Sequence, residues 1–104
     1  MKPEPELDIA GRIKTIEWLK TELVSGVGLL FRAMFKGGEA LIADSLANLV
    51  LTLYVLGRRL GVSYAALDRR LDEVTRDNLD QSHEVERWYG DLSELAEYLR
   101  ESRK

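Results

Sequence analysis

The sequence predicts an all-α protein, a helical bundle, and three observations predict it. Both prolines, Pro3 and Pro5, precede Leu7, so nothing downstream carries a proline break. From Ile9 onward apolar residues recur at steps of three and four, the spacing of one helix face. The glycines that interrupt this spacing, Gly37-Gly38 and Gly61, stand where helices would stop. With 104 residues, 45% of them hydrophobic and 32% charged, the chain has the size and composition of one folded domain. We expect a flexible tail over 1–7 and a single domain over 8–104.

Asp8 is the expected N-cap of a long first helix over about 8–36, with Ile9, Ile13, Ile16, Leu19 or Leu23, Val27, Leu30 and Met34 along its inner face. Gly37-Gly38 makes the turn. A second helix follows over about 39–60, and Leu41, Ile42, Leu46, Leu49, Val50, Leu53, Tyr54, Leu56 and Leu60 make it apolar around more than half its circumference. Such a helix reads as a buried core helix that one neighbour cannot cover, so the bundle is completed by the rest of the chain or by a second copy.

Ser63 is the expected N-cap of an amphipathic third helix over about 64–88, carrying Leu67, Leu71, Val74 and Leu79. The stretch Asp77 to Ser82 weakens its pattern, which leaves a kink and a gap both open. Gly90 reads as a stop. Asp91 with Glu94 then fits a capping box for a short last helix over about 92–102, with Leu92, Leu95 and Leu99 inside.

Composition excludes several function classes. Fifteen Lys+Arg against 18 Asp+Glu leave a net charge of -3, with no global field for nucleic acid. There is no cysteine, and the single His83 cannot form a two-histidine metal site, so a metal would need oxygen ligands, as Mg²⁺ prefers. His83 beside Glu84 and Glu86 reads as surface. The polar start, MKPEPELD, has no apolar run of a signal peptide, so a cytoplasmic, bacterial-type location is expected. The nearly uncharged run from Ser45 to Gly57 falls short of the roughly 18 to 20 residues that cross a bilayer, so no membrane partner is expected.

The segment Val24 to Val62, VSGVGLLFRAMFKGGEALIADSLANLVLTLYVLGRRLGV, carries a resemblance. Its apolar framework, its K-G turn, the I-A-D before Ser45 and the closing R-L-G-V fall in register, and the segment resembles the two central helices of the MazG-like all-α nucleotide pyrophosphohydrolases. The resemblance implies E-E-x-x-E on the first of these helices and E-x-x-D on the second. Those acids hold Mg²⁺ over a triphosphate, and the metal activates a water that releases pyrophosphate. Acids three or four apart share a helix face, which is how two helices aim four oxygen ligands at one hard cation.

Here the positions matching those acids are Ser25, Gly26 and Leu29 on the first helix and Ser45 and Asn48 on the second. Other offsets do not restore the motif, because no acid pair three apart occurs between Glu22 and Glu39, and only Asp44 is acidic between Glu39 and Asp68. Glu22 and Asp44 are the candidates for a residual metal site. Ser25, Gly26 and Gly28 form a small-residue patch in mid-helix, where each glycine costs about 0.8–1 kcal/mol relative to alanine. Close helix approach, a backbone surface for a nucleotide or partner, or a helix break would each account for it.

Arg58, Arg59, Arg70, Arg76 and Asn78 are the candidates for holding a phosphate, set against the reading that these cations, with Arg69, lie on a solvated face opposite Asp68 and Asp72. Trp18, Trp88 and Tyr89 read as core or interface anchors. The expected protein is therefore a MazG-like homodimer or higher oligomer without resident cofactor. It acts as a non-catalytic nucleotide-binding, protein-interaction or regulatory module. The rival is an active Mg²⁺-dependent nucleoside triphosphate pyrophosphohydrolase using Glu22, Asp44 and Asp68 or Asp72.

Overall fold

The computed structural model describes residues 5–81 and 86–102, with side chains over 9–79 and 90–102. Its elements in order are α1 (Pro5–Lys36), α2 (Glu39–Arg59), α3 (Tyr64–Gln81) and α4 (Glu86–Ser102). No strand occurs among the described residues, so the protein is all-α. The chain divides into two compact units, Met1–Ser63 with α1 packed on α2, and Tyr64–Lys104 with α3 packed on α4.

Two glycines end the helices of the first unit. Gly37 takes φ 79°, and its N–H donates to the Ala33 carbonyl at 2.9 Å. Gly61 takes φ 97°, its N–H donates to Arg58 O at 3.1 Å, and the Val62 N–H donates to Gly57 O at 2.8 Å. That pair of bonds is a Schellman motif, which satisfies carbonyls that the helix end would otherwise leave open. A Cβ built on Gly28, Gly37 or Gly61 meets nothing within 4 Å, and Gly28 differs from the other two in its helical backbone, without a positive φ. Thermal unfolding should therefore separate two alanine substitutions. Gly28→Ala stabilises by about 0.8 kcal/mol through helix propensity, whereas Gly61→Ala destabilises by about 1 kcal/mol through left-handed strain.

α1 begins at Pro5, ahead of the expected start at Asp8. The missing N–H of proline is no loss in a first helical turn. α3 is described as far as Gln81, so Asp77 to Gln81 are helical although their apolar pattern is weak. α4 starts at Glu86 and runs through Gly90 and Asp91, which therefore act neither as a stop nor as a cap. A single interior glycine costs about 1 kcal/mol, and the helix formers on both sides offset it. The choice between kink and gap falls on 82–85, outside the described residues, as do His83 and the side chains of Trp88 and Tyr89.

Burial is sparse. Leu19 and Ala33 are the buried apolar residues among those described, and Thr75 is the buried polar one, its Oγ1 donating to the Leu71 carbonyl at 2.7 Å. α2 was expected to be a buried core helix, yet none of its residues is buried within the chain. α1 packs along one stripe of it, and one helix cannot cover a face as wide as this. Extended to Glu39 and Arg59, α2 is also long and apolar enough to cross a membrane by length and composition, which the shorter run from Ser45 to Gly57 is not. Asp44 and Asn48, one turn apart on it, would be costly in hydrocarbon.

Candidate functional site

Helical periodicity decides which side chains the first unit gathers. On α1, Glu22, Ser25, Gly26 and Leu29 follow one another at steps of three, one and three residues and so fall on one face. Leu41, Asp44, Ser45, Asn48 and Thr52 do the same on α2. The two faces meet in a groove of about 290 Å³ lined by these nine residues. All the positions that matched the family acids, and the two candidate residual carboxylates, are brought together there. Towards the Gly37 turn the groove continues into a hollow of about 160 Å³, where Arg32 and Lys36 join Leu29, Leu41 and Ser45.

Gly26 sets how closely the helices approach. A Cβ on it would lie 2.9 Å from Leu49 Cδ2, so the missing side chain is the space that Leu49 occupies. α1 is unbroken through 25–28, which removes the helix-break reading of the small-residue patch. Close approach accounts for Gly26 and not for Gly28, beside which there is open space.

The polar side chains of α2 turn back on their own helix. Ser45 Oγ donates to Leu41 O at 2.9 Å, Asn48 Nδ2 to Asp44 O at 3.0 Å, and Thr52 Oγ1 to Asn48 O at 2.8 Å. Glu22 and Asp44 have no ion-pair partner among the described residues. Thr52 was not among the sequence candidates, although its spacing of four from Asn48 and seven from Ser45 marks the same face.

The phosphate candidates of the first unit, Arg58 and Arg59, do not line this groove. Arg58 and Arg59 close the last turn of α2. On α3, Arg70 pairs with Glu73 at 2.9 Å and Arg76 with Asp72 at 3.1 Å, while Asn78 Nδ2 donates to Val74 O at 2.8 Å. These are short-range contacts along one solvated helix, each worth a few tenths of a kcal/mol, about 0.3–0.5 for an ion pair.

No group of three or more Asp, Glu, His or Cys able to hold a metal occurs among the described residues, and the carboxylates that line the groove are Glu22 and Asp44.

The far side of the same helix pair has a different character. Val27, Phe31 and Met34 of α1 and Leu46, Val50 and Leu53 of α2 fall opposite the groove residues, and they are 38–63% exposed. The first unit thus carries a polar groove on one side and an apolar stripe on the other.

No curated protein and no solved structure matches the chain. A sequence model of the MazG-like family matches residues 9–92, which takes in α1, α2, α3 and the start of α4. A framework of helices in this order, matched over most of the chain, shows that the protein belongs to the MazG-like family.

Proposed function

We propose that this chain is a non-catalytic, self-associating member of its family, a cytoplasmic interaction module that has lost nucleotide pyrophosphohydrolase chemistry. The observation that carries the reading is the groove itself. Ser25, Gly26, Leu29, Ser45 and Asn48 stand together where the family motif calls for acids, and Glu22 and Asp44 are the carboxylates that remain. Without a held cation, nothing there neutralises a triphosphate or activates water.

Self-association follows from the opposite side. With Leu19 and Ala33 as the buried apolar residues among those described, the first unit has little core of its own. A second copy placed on the apolar stripe would supply one by making four helices out of two. An apolar stripe is also self-complementary, as a two-fold interface requires.

Pyrophosphate release from ribo- and deoxyribonucleoside triphosphates with Mg²⁺, together with sedimentation velocity on the same preparation, tests both parts. We expect no release above the blank and a species of twice the chain mass. The second reading, an active enzyme with displaced carboxylates, draws on Glu22 and Asp44 lining one groove. It requires turnover that Glu22→Ala or Asp44→Ala abolishes, and that result would overturn the proposal.

A further inference from the structure

We propose that the turn end of the α1–α2 hairpin binds an anionic lipid surface, with Phe35 inserted below the headgroups and Arg32 and Lys36 on their phosphates. The inference goes beyond the pairing proposed above and does not depend on it.

The first observation is where apolar surface lies on α1. Gly26 marks the side of α1 that meets α2, because a Cβ on it would touch Leu49. At about 100° per residue, Val24, Phe31 and Phe35 fall within roughly 40° of one another on the opposite side, which α2 cannot reach. Their exposures are 74%, 63% and 93%, and Phe35 is the most exposed large apolar residue among those described. A second copy on the stripe of Val27, Met34, Val50 and Leu53 engages the neighbouring face, so Val24 and Phe35 stay at its margin.

The second observation is the charge at the same end. From Leu23 to Gly38 the chain has no acid, and its two cations, Arg32 and Lys36, stand one turn apart. Both line the hollow of about 160 Å³ with Leu29, Ala33, Leu41 and Ser45, and no acid lines it. Neither cation has an ion-pair partner among the described residues, whereas Lys20, Arg70, Arg76 and Arg100 each do. Glu39, the nearest acid in sequence, falls on the side of α2 opposite Leu41.

These two features together choose the occupant. An amphipathic helix that lies on a bilayer puts an aromatic side chain at the acyl boundary and keeps cations beside it at headgroup level. A second copy is a poor fit, since a two-fold pair about Phe35 would bring Arg32 and Lys36 towards their own images. A soluble phosphate ester would use the hollow and leave Phe35 in water. Lying on the surface also keeps Asp44 and Asn48 out of hydrocarbon, which a crossing α2 would not.

Co-sedimentation of the whole chain with lipid vesicles at low ionic strength is the test. The protein should pellet with vesicles of phosphatidylcholine and phosphatidylglycerol, stay in solution with phosphatidylcholine alone, and be released by added salt. Phe35→Ser should weaken binding about tenfold, the loss of one buried aromatic side chain. Arg32→Gln with Lys36→Gln should weaken it about 25-fold, or about fivefold per cation. Both variants change exposed side chains, and circular dichroism checks that they stay helical. Without lipid, Phe35→Ser should sediment as the parent does. Equal binding to both kinds of vesicle, binding to neither, or competition by inorganic phosphate with no effect of Phe35→Ser overturns the inference. A Phe35→Ser protein that pairs less well than the parent also overturns it, because the ridge then belongs to the contact between copies.

Discussion

Val50→Asp combined with Leu53→Asp should convert the proposed dimer to monomer, raising its dissociation constant at least 100-fold. Both side chains lie in the α2 stripe opposite the groove, 51% and 48% exposed in the single chain. A carboxylate there costs the monomer little, since water still reaches it. In a two-fold interface it becomes a buried charge without a partner, and each such charge costs about 3 kcal/mol or more. Because a two-fold interface is isologous, two substitutions in the chain would place four carboxylates in it. Sedimentation equilibrium across a concentration series gives the constant, and circular dichroism shows that the helices persist. Asn48→Asp is the matched control. It adds the same charge on the groove side of the same helix and should leave the dimer intact. A doubly substituted protein that stays dimeric rules out this stripe as the interface. A parent protein that sediments with lipid vesicles instead of pairing would assign α2 to a bilayer.

The second large effect is expected at Gly26. Gly26→Leu should destabilise the first unit by about 1–2 kcal/mol, lowering the melting temperature by at least 4 °C. The first added carbon already meets Leu49 Cδ2 at 2.9 Å, so a full side chain must push α2 away or drive Leu49 out of its place. Helix propensity works the other way by about 0.8 kcal/mol, which the overpacking has to exceed. The companion Gly28→Leu has open space around it and should be neutral or stabilising. Leu49→Ala should recover part of the loss in the Gly26→Leu background, and a double-mutant cycle by chemical denaturation measures that coupling. Additive effects of the two substitutions would mean that Gly26 and Leu49 are not packing partners.

Much of this architecture can be read from short-range pattern. The Gly37 and Gly61 stops were identified from residue type, because a left-handed φ is a local demand that glycine meets without strain. The groove positions were found by register, through the resemblance of Val24 to Val62 to two family helices, and Glu22 and Asp44 by their nearness in sequence to those positions. Local pattern failed at Pro5, Gly90 and Asp91. Their types announce a tail, a stop and a cap, and each sits inside a helix whose remaining residues outweigh one unfavourable position.

By itself the sequence determined that the chain is helical and where the first two helices turn. Those are statements about neighbours along the chain, governed by spacings of three and four residues. Only the tertiary structure decided which residues of α1 face which residues of α2. That pairing puts Leu49 into the space left by Gly26, adds Thr52 to the groove, and separates the groove side of the helix pair from its apolar side. The physical reason is that periodicity tells which residues share a face of one helix. Which faces meet depends on the direction and distance at which two helices pack, and that is set by contacts between residues far apart in sequence.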